Sequence, residues 1–147
     1  MPCLFSTSPN LVDVGPRITV AVMVSSAFLK SLKDPEDIRK YDKQFSAVML
    51  VDTGASCTMI DAAIAPFLGL TPHGTEKIIT PSGLKDDCLT YDVDLIFSDH
   101  NIARRNLRVI ESHLKQQQGI DGLIGRDILS NALLVYQGWA NQYTLAF

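Results

Sequence analysis

The chain has 147 residues, about the length of one domain, and 46% of them are hydrophobic, which suffices for a core without disulfides. Its net charge of −3 gives no broad electropositive surface, so neither nucleic acid nor an anionic membrane is an expected partner. Its apolar runs are far shorter than the roughly 20 residues of a membrane helix, and no secretory leader is visible. We therefore expect a cytoplasmic protein.

The first regular element is predicted in residues 18–24, where side chains alternate with the period of a half-buried strand. An insert, residues 30–43, follows. A small exposed helix is predicted within it. Its start is indicated by Asp34 as N-cap, by Pro35 at the first helical position and by acidic residues that precede basic ones. Its charges are expected to solvate the surface, with a partner-binding role as the alternative.

The next element combines an apolar run with a carboxylate. Residues 47–51 (AVMLV) predict a strand buried on both faces, and Asp52, Thr53 and Gly54 follow directly. A buried carboxylate is costly unless it is paired or hydrogen-bonded, and a glycine lets its own N–H approach the acid. Asp52 is therefore either a functional carboxylate or an aspartate satisfied in a structural turn.

The middle of the chain predicts a short helix over residues 61–68, ending at Gly69, and then a hairpin whose tip carries a Pro-Ser-Gly turn. The longest period-two run, residues 89–97, predicts the most regular strand. Further short strands are predicted at residues 107–110, 133–136 and 143–147.

A second unusual segment, residues 119–129 (GIDGLIGRDIL), passes from a strand to a helix across Gly125. Glycine at such a point predicts that other backbone comes close. Many short strands with only small helices predict an all-β, closed, barrel-like fold.

Residues 50–55 (LVDTGA) and 123–127 (LIGRD) together closely resemble the two sequence marks of the retropepsin-like aspartic proteases, the family of retroviral proteases and their cellular and bacterial relatives. The resemblance spans roughly residues 16–147. It implies a single acid-protease domain over residues 1–147, with one short helix after the second glycine loop and a small inserted helix. The chain departs from the retroviral pattern in its insert and at Ser56, where many retroviral enzymes carry an acid that pairs with an arginine, so the partner of Arg126 stays open.

The resemblance also implies roles for individual residues. It makes Asp52 the catalytic residue, supported in the active site by Thr53, Gly54, Ala55, Gly125 and Arg126. It makes the hairpin a substrate-binding flap formed by Thr80, Pro81, Ser82, Gly83 and Leu84. No metal or organic cofactor is required.

Peptide hydrolysis in this family uses two carboxylates around one water, and this chain has a single Asp-Thr-Gly. The resemblance therefore implies a homodimer in which the two Asp52 side chains meet on a twofold axis, with an extended polypeptide as substrate. Residues 142–147 are the candidate interface strand. Four side chains are candidates for pocket walls or, alternatively, plain core: Ile60, Ile79, Leu84 and Ile124.

Three other functions are compatible with parts of the sequence. A proteolytically inactive retropepsin-like module could dimerise or bind peptides. A phosphate-binding loop of the actin-like kinase type also contains Asp-Thr-Gly, but no glycine-rich phosphate cradle accompanies it here. A cysteine nucleophile at Cys57 would need a positioned histidine, and none shares a motif with it; the three cysteines, without CxxC spacing, favour reduced thiols over disulfides or zinc.

Overall fold

The computed structural model describes residues 3–97 and 102–147, which form short strands and helices in alternation. The strands are β1 (Cys3–Thr7), β2 (Arg17–Val24), β3 (Gln44–Val51), β4 (Met59–Asp61), β5 (Gly74–Thr80), β6 (Gly83–Phe97), β7 (Ile102–Ser112), β8 (Gly122–Ile124), β9 (Leu133–Gln137) and β10 (Gln142–Ala146). The helices are α1 (Leu11–Val14), α2 (Ser26–Ser31), α3 (Pro35–Tyr41), α4 (Ile64–Leu68), α5 (Leu114–Gln118) and α6 (Arg126–Leu129), with a 3-10 turn at Gly138–Ala140.

Six strands close into a barrel in the order β2-β3-β8-β4-β7-β6, because β6 also pairs with β2. Strand β5 lies outside this ring and pairs with the first half of β6 to form a long hairpin. This architecture confirms the predicted all-β, barrel-like fold, with the short helix α6 directly after the second glycine loop.

The barrel core is built by alternation along its strands. In β2, Val20, Val22 and Val24 point inward and are at most 2% exposed, as predicted. In β3 the prediction of burial on both faces is wrong: Val48 is 37% exposed, whereas Met49 is fully buried. A barrel strand has an inside and an outside, so even an all-apolar strand buries only alternate residues completely.

The insert after β2 forms two helices rather than one. The predicted helix is α3, whose N-cap Asp34 accepts a hydrogen bond from Glu36 N at 2.8 Å. An unpredicted helix, α2, precedes it and is capped by Ser25, which accepts a hydrogen bond from Phe28 N at 3.2 Å. The rings of Phe28 and Tyr41 meet edge to face at 5.0 Å, so the two helices brace each other.

The helix predicted over residues 61–68 is shorter than expected. Asp61 ends β4, and α4 begins at Ile64. The predicted end is confirmed, since Gly69 adopts the left-handed conformation with φ +71°. Within residues 3–97 and 102–147, no helix combines the length and the apolar character that crossing a membrane requires.

The C-terminal strand does not have the free edge that an interface strand needs. In the order β1-β10-β9, β10 lies between two strands of its own chain, with Cys3 opposite Ala146 on one side. Its side chains Tyr143 and Leu145 are at most 1% exposed. Both edges of β10 are therefore occupied, by β1 and by β9, so the candidate interface strand at residues 142–147 offers a second copy no free edge for pairing.

Candidate active site

Two parallel strands bring the two glycine motifs together. In the barrel, β3 and β8 are adjacent and parallel, with Val51 opposite Ile124. Because parallel strands end at the same edge of a sheet, the loops that follow them are neighbours. Asp52 N donates a hydrogen bond to Ile124 O at 3.0 Å, so the aspartate sits at the junction of the two loops.

The Asp52 carboxylate is half-buried and held by its own loop. Gly54 N donates to Asp52 Oδ1 at 2.8 Å, and Ala55 N donates to Asp52 O at 3.2 Å. A Cβ atom at position 54 would lie 3.0 Å from Oδ1, so a residue with a side chain would crowd this approach. Among the residues that the structure describes, no second hydrogen bond to the carboxylate accompanies that of Gly54.

Three other aspartates are more deeply buried than Asp52. Asp61, Asp94 and Asp121 are 7%, 3% and 7% exposed. Each is saturated by neighbours: Asp61 by Ala63 N and Lys115 N, Asp94 by Ser26 N, Asn106 N and Arg105 Nη1, and Asp121 by Val48 N and Lys115 Nζ. Burial therefore does not distinguish Asp52. What distinguishes it from these three is a carboxylate oxygen left open beside a cleft.

A hydrogen-bond network around the buried Thr58 joins the two loops. Thr58, which is fully buried, donates to Asp127 through its N at 2.9 Å and its Oγ1 at 2.8 Å, while its Oγ1 accepts from Gly125 N at 3.1 Å. Asp127 also accepts from Ile128 N at 2.9 Å. Sequence reasoning assigned no role to Thr58 or Asp127. Asp127 stands in the second motif, whereas Thr58 gave no signal.

Gly125 is required by space rather than by backbone conformation. Its φ of −90° is open to any residue. A Cβ atom there, however, would lie 2.4 Å from the carbonyl carbon of Cys57 and 2.5 Å from its oxygen. The predicted close approach of other backbone at Gly125 is thereby confirmed.

The partner of Arg126, which the sequence left open, is main chain. Its Nη1 donates to Thr53 O at 2.8 Å, and its N donates to Ala55 O at 2.9 Å. Arg126 thus ties the second loop to the first from the exposed side, where Thr53 and Gly54 are also exposed.

The hairpin of β5 and β6 lies across the aspartate loop. Thr80 pairs with Gly83, and its Oγ1 both contacts Ser82 Oγ at 2.9 Å and donates to Gly83 O at 3.0 Å, which fixes the turn at Pro81 and Ser82. Gly83 adopts a φ of +118°, a conformation that side chains disfavour.

Two clefts, each of about 540 Å³, lie between the hairpin and the loops. The first is lined by Asp52, Gly54, Ala55, Met59, Ile79, Thr80, Pro81, Ser82, Lys85, Ser112, Leu114, Gln117, Gln118 and Leu123. The second is lined by Gly54, Ala55, Ser56, Cys57, Met59, Glu76, Lys77, Ile78, Ile79, Arg108, Ile110 and Arg126. The first brings the predicted flap residues Thr80, Pro81 and Ser82 together with Asp52, while Gly83 and Leu84 line neither cleft.

The four candidate wall residues divide between cleft, core and surface. Ile79 is 88% exposed and lines both clefts. Ile60 and Ile124 are fully buried, so they belong to the core. Leu84 is 62% exposed and lies opposite Ile79 in the hairpin.

Cys57 borders the second cleft, but its environment does not favour a thiolate. Burial raises the pKa of the Cys57 thiol above its ordinary value, and the carboxylates of Asp127 and Glu76 raise it further against a lowering contact from Ser56. A nucleophilic cysteine needs the opposite shift. Across the described ranges, 3–97 and 102–147, no three histidine, cysteine or acidic side chains are grouped as metal ligands.

Comparisons with known proteins agree with this geometry. A family described as aspartyl protease matches residues 40–128. The structure is similar to that of a retropepsin-like aspartic protease from Rickettsia conorii, with a TM-score of 0.59, 12% identity and coverage of 99% of this chain and 91% of that one. It is also similar to EIAV protease in complex with an inhibitor, with a TM-score of 0.51, 17% identity and coverage of 84% and 92%. A comparison with curated proteins finds no match.

Proposed function

The chain belongs to the aspartyl protease family and has its retropepsin-like fold, and from this premise we propose that it is an endopeptidase that works as a homodimer. Asp52 of each copy supplies one of the two catalytic carboxylates. The observation that carries the proposal is the Asp52 carboxylate, held by Gly54 N through one oxygen and open through the other to a cleft beneath the hairpin.

The proposed reaction uses the two carboxyl groups in different protonation states. Two carboxylates at contact distance cannot both be ionised, so the pair shares a proton and titrates as a unit. The ionised group takes a proton from water, the water oxygen bonds to the carbonyl carbon of the substrate, and the protonated group hydrogen-bonds the carbonyl oxygen. Proton transfer to the amide nitrogen then lets the C–N bond break, which yields a carboxyl and an amine end.

A second copy completes this site because each chain contributes one such aspartate. Beside the half-buried Asp52, Thr53 and Gly54 are exposed on the same loop. A twofold axis through this loop would place the two Asp52 side chains face to face and cover these residues. A monomer is therefore expected to be inactive.

The free edge of β9 is the surface we propose for the dimer interface. Within the described residues, β9 has β10 on one side and no strand on the other. Its sequence has no charge, and Leu133, Val135 and Tyr136 are 55%, 41% and 49% exposed, which is unusual for an edge strand left in water. Antiparallel pairing of β9 with its own copy about Val135 is self-complementary, as a twofold axis requires.

The proposed substrate is a polypeptide in an extended conformation. The two clefts lie between the hairpin and the glycine loops, the first of them beside Asp52, and backbone hydrogen bonds to a strand-like ligand need no particular sequence. Ile79, Thr80, Pro81 and Ser82 would contact it from above, and closure of the hairpin would exclude water.

The test uses Asp52→Asn, which keeps the shape of the side chain and removes its ability to ionise. Wild type is expected to cleave a peptide library at some pH between acid and neutral, and the variant is expected to lose this cleavage. Asp42→Asn, the same exchange at an exposed acid that lines neither cleft, is the matched control and should cleave like wild type.

A mixing experiment tests the shared site. Wild-type subunits are held constant and mixed at random with an equal amount of Asp52→Asn subunits, which doubles the number of dimers. About a quarter of these dimers are then fully wild type, so the activity halves if an active dimer needs two Asp52 side chains. Unchanged activity after mixing would refute the shared site. Equal cleavage by wild type and Asp52→Asn would refute the protease itself, and a stable dimer without cleavage would favour a peptide-binding module.

A further inference from the structure

The second cleft is lined by more cationic than acidic side chains. Three cationic side chains, Lys77, Arg108 and Arg126, and one acidic side chain, Glu76, line it beside the aspartate loop. We infer that this cleft binds an acidic side chain of the polypeptide substrate and that Arg126 recognises it. The inference rests on the proposed endopeptidase function and names a preference of the same site.

Arg126 has donors available for such a ligand. Its side chain is exposed and uses Nη1 for a neutral acceptor, Thr53 O, at 2.8 Å. No ion pair joins Arg126 to a carboxylate of residues 3–97 or 102–147. A guanidinium has five N–H donors in a planar fork, so those not used for Thr53 can bind both oxygens of one carboxylate.

The other arginine of the cleft is already compensated. Arg108 donates to Asp92 through Nε at 2.7 Å and Nη2 at 3.2 Å. These hydrogen bonds raise the pKa of Arg108, with a smaller contribution from Asp92 and Glu76 charges. Asp92, which lines neither cleft, therefore compensates Arg108, whereas no ion pair to Arg126 is found among the described residues.

The stretch that follows Asp52 in the first loop, which Arg126 contacts, offers it no carboxylate. Residues 53–58 (TGASCT) contain no acid. Ser56 is exposed and lines the same cleft, so a carboxylate introduced there would compete with a substrate acid while the Arg126 bond to Thr53 O stays possible. This position allows a test that leaves Arg126 itself intact.

The test compares peptides that differ only by Glu or Gln at one position near the cleaved bond, scanned position by position. At neutral pH we expect one position at which wild type cleaves the Glu peptide with about tenfold higher kcat/KM, the size of about 1.4 kcal/mol. The ratio should fall towards one below the ordinary Glu pKa of about 4.3, because the acid is then neutral.

Variants at Ser56 separate charge from shape. Ser56→Asp should abolish the Glu preference, whereas Ser56→Asn, of similar shape without charge, should retain it. Arg126→Gln should abolish the ratio even if overall activity falls. Equal cleavage of the Glu and Gln peptides by wild type at every position would overturn the inference and leave the protease standing. Cleavage of neither would reject the proposed function and, with it, the inference.

Discussion

Thr58→Val tests whether the hydrogen-bond network around the buried Thr58 holds the two loops together. Valine keeps the shape of threonine but cannot donate to Asp127 or accept from Gly125 N, which lie 2.8 Å and 3.1 Å from the hydroxyl. A lost bond to a charged partner and a buried N–H left unsatisfied each cost about 1–3 kcal/mol, so the free energy of unfolding should fall by about 3 kcal/mol.

Urea unfolding measures this change, and the melting temperature should fall by about 6–12 °C for a chain of this size. Thr75→Val, at an exposed position of β5, makes the same chemical exchange without a described side-chain bond and should change stability by less than about 0.5 kcal/mol. If Thr58→Val costs no more than Thr75→Val, the hydroxyl does not join the loops.

Three further substitutions test other contacts of the structure. Gly125→Ala places a Cβ atom 2.4 Å from the Cys57 backbone and should lower the free energy of unfolding, measured in urea, by at least about 2 kcal/mol. Gly74→Ala should be tolerated, because the atom nearest to its Cβ would lie 3.9 Å away. Equal effects of the two substitutions would contradict a steric role of Gly125. Burial and the hydrogen bond to Glu111 raise the pKa of Tyr91 to about 12, so the tyrosine that titrates at that pH in an ultraviolet titration of wild type should be missing in Tyr91→Phe. The free energy of unfolding should fall as pH rises from about 10 to about 12, because the folded state keeps this proton and the unfolded state loses it. A titration midpoint of Tyr91 near 10 would refute this prediction. Val135→Lys should weaken dimerisation in sedimentation at least tenfold while Val12→Lys, at another exposed apolar position, leaves it unchanged; equal dimers would exclude the β9 edge.

Local sequence patterns predicted the elements whose determinants lie close together in the chain. The cap of α3 at Asp34, the stop of α4 at Gly69 and the alternation of β2 each depend on a few neighbouring residues, and each is present. The glycine at position 125 was interpretable because an absent side chain points to a close contact whatever its partner is.

The features that could not be predicted depend on partners far apart in sequence. Thr58 meets Asp127 across 69 residues, and β10 acquires β1 as a neighbour from the other end of the chain. Burial alone also does not mark Asp52 as a functional residue. Asp61, Asp94 and Asp121 are buried more deeply and are structural, since distant backbone N–H groups satisfy them. The sequence shows where these aspartates stand, but not which N–H groups the fold brings to them.

The strand β6 has a mechanical consequence for the site. Its first half pairs with β5 in the hairpin and its second half is a strand of the barrel, so one end of β6 is held by the barrel while the other carries the hairpin. The register slips between Glu76 and Ile78, and opposite this slip Asp87 takes a φ of +58°, which interrupts the regular pairing midway along the arm. Asp87 lines neither cleft, so a residue outside the proposed substrate site can influence how much room a substrate has.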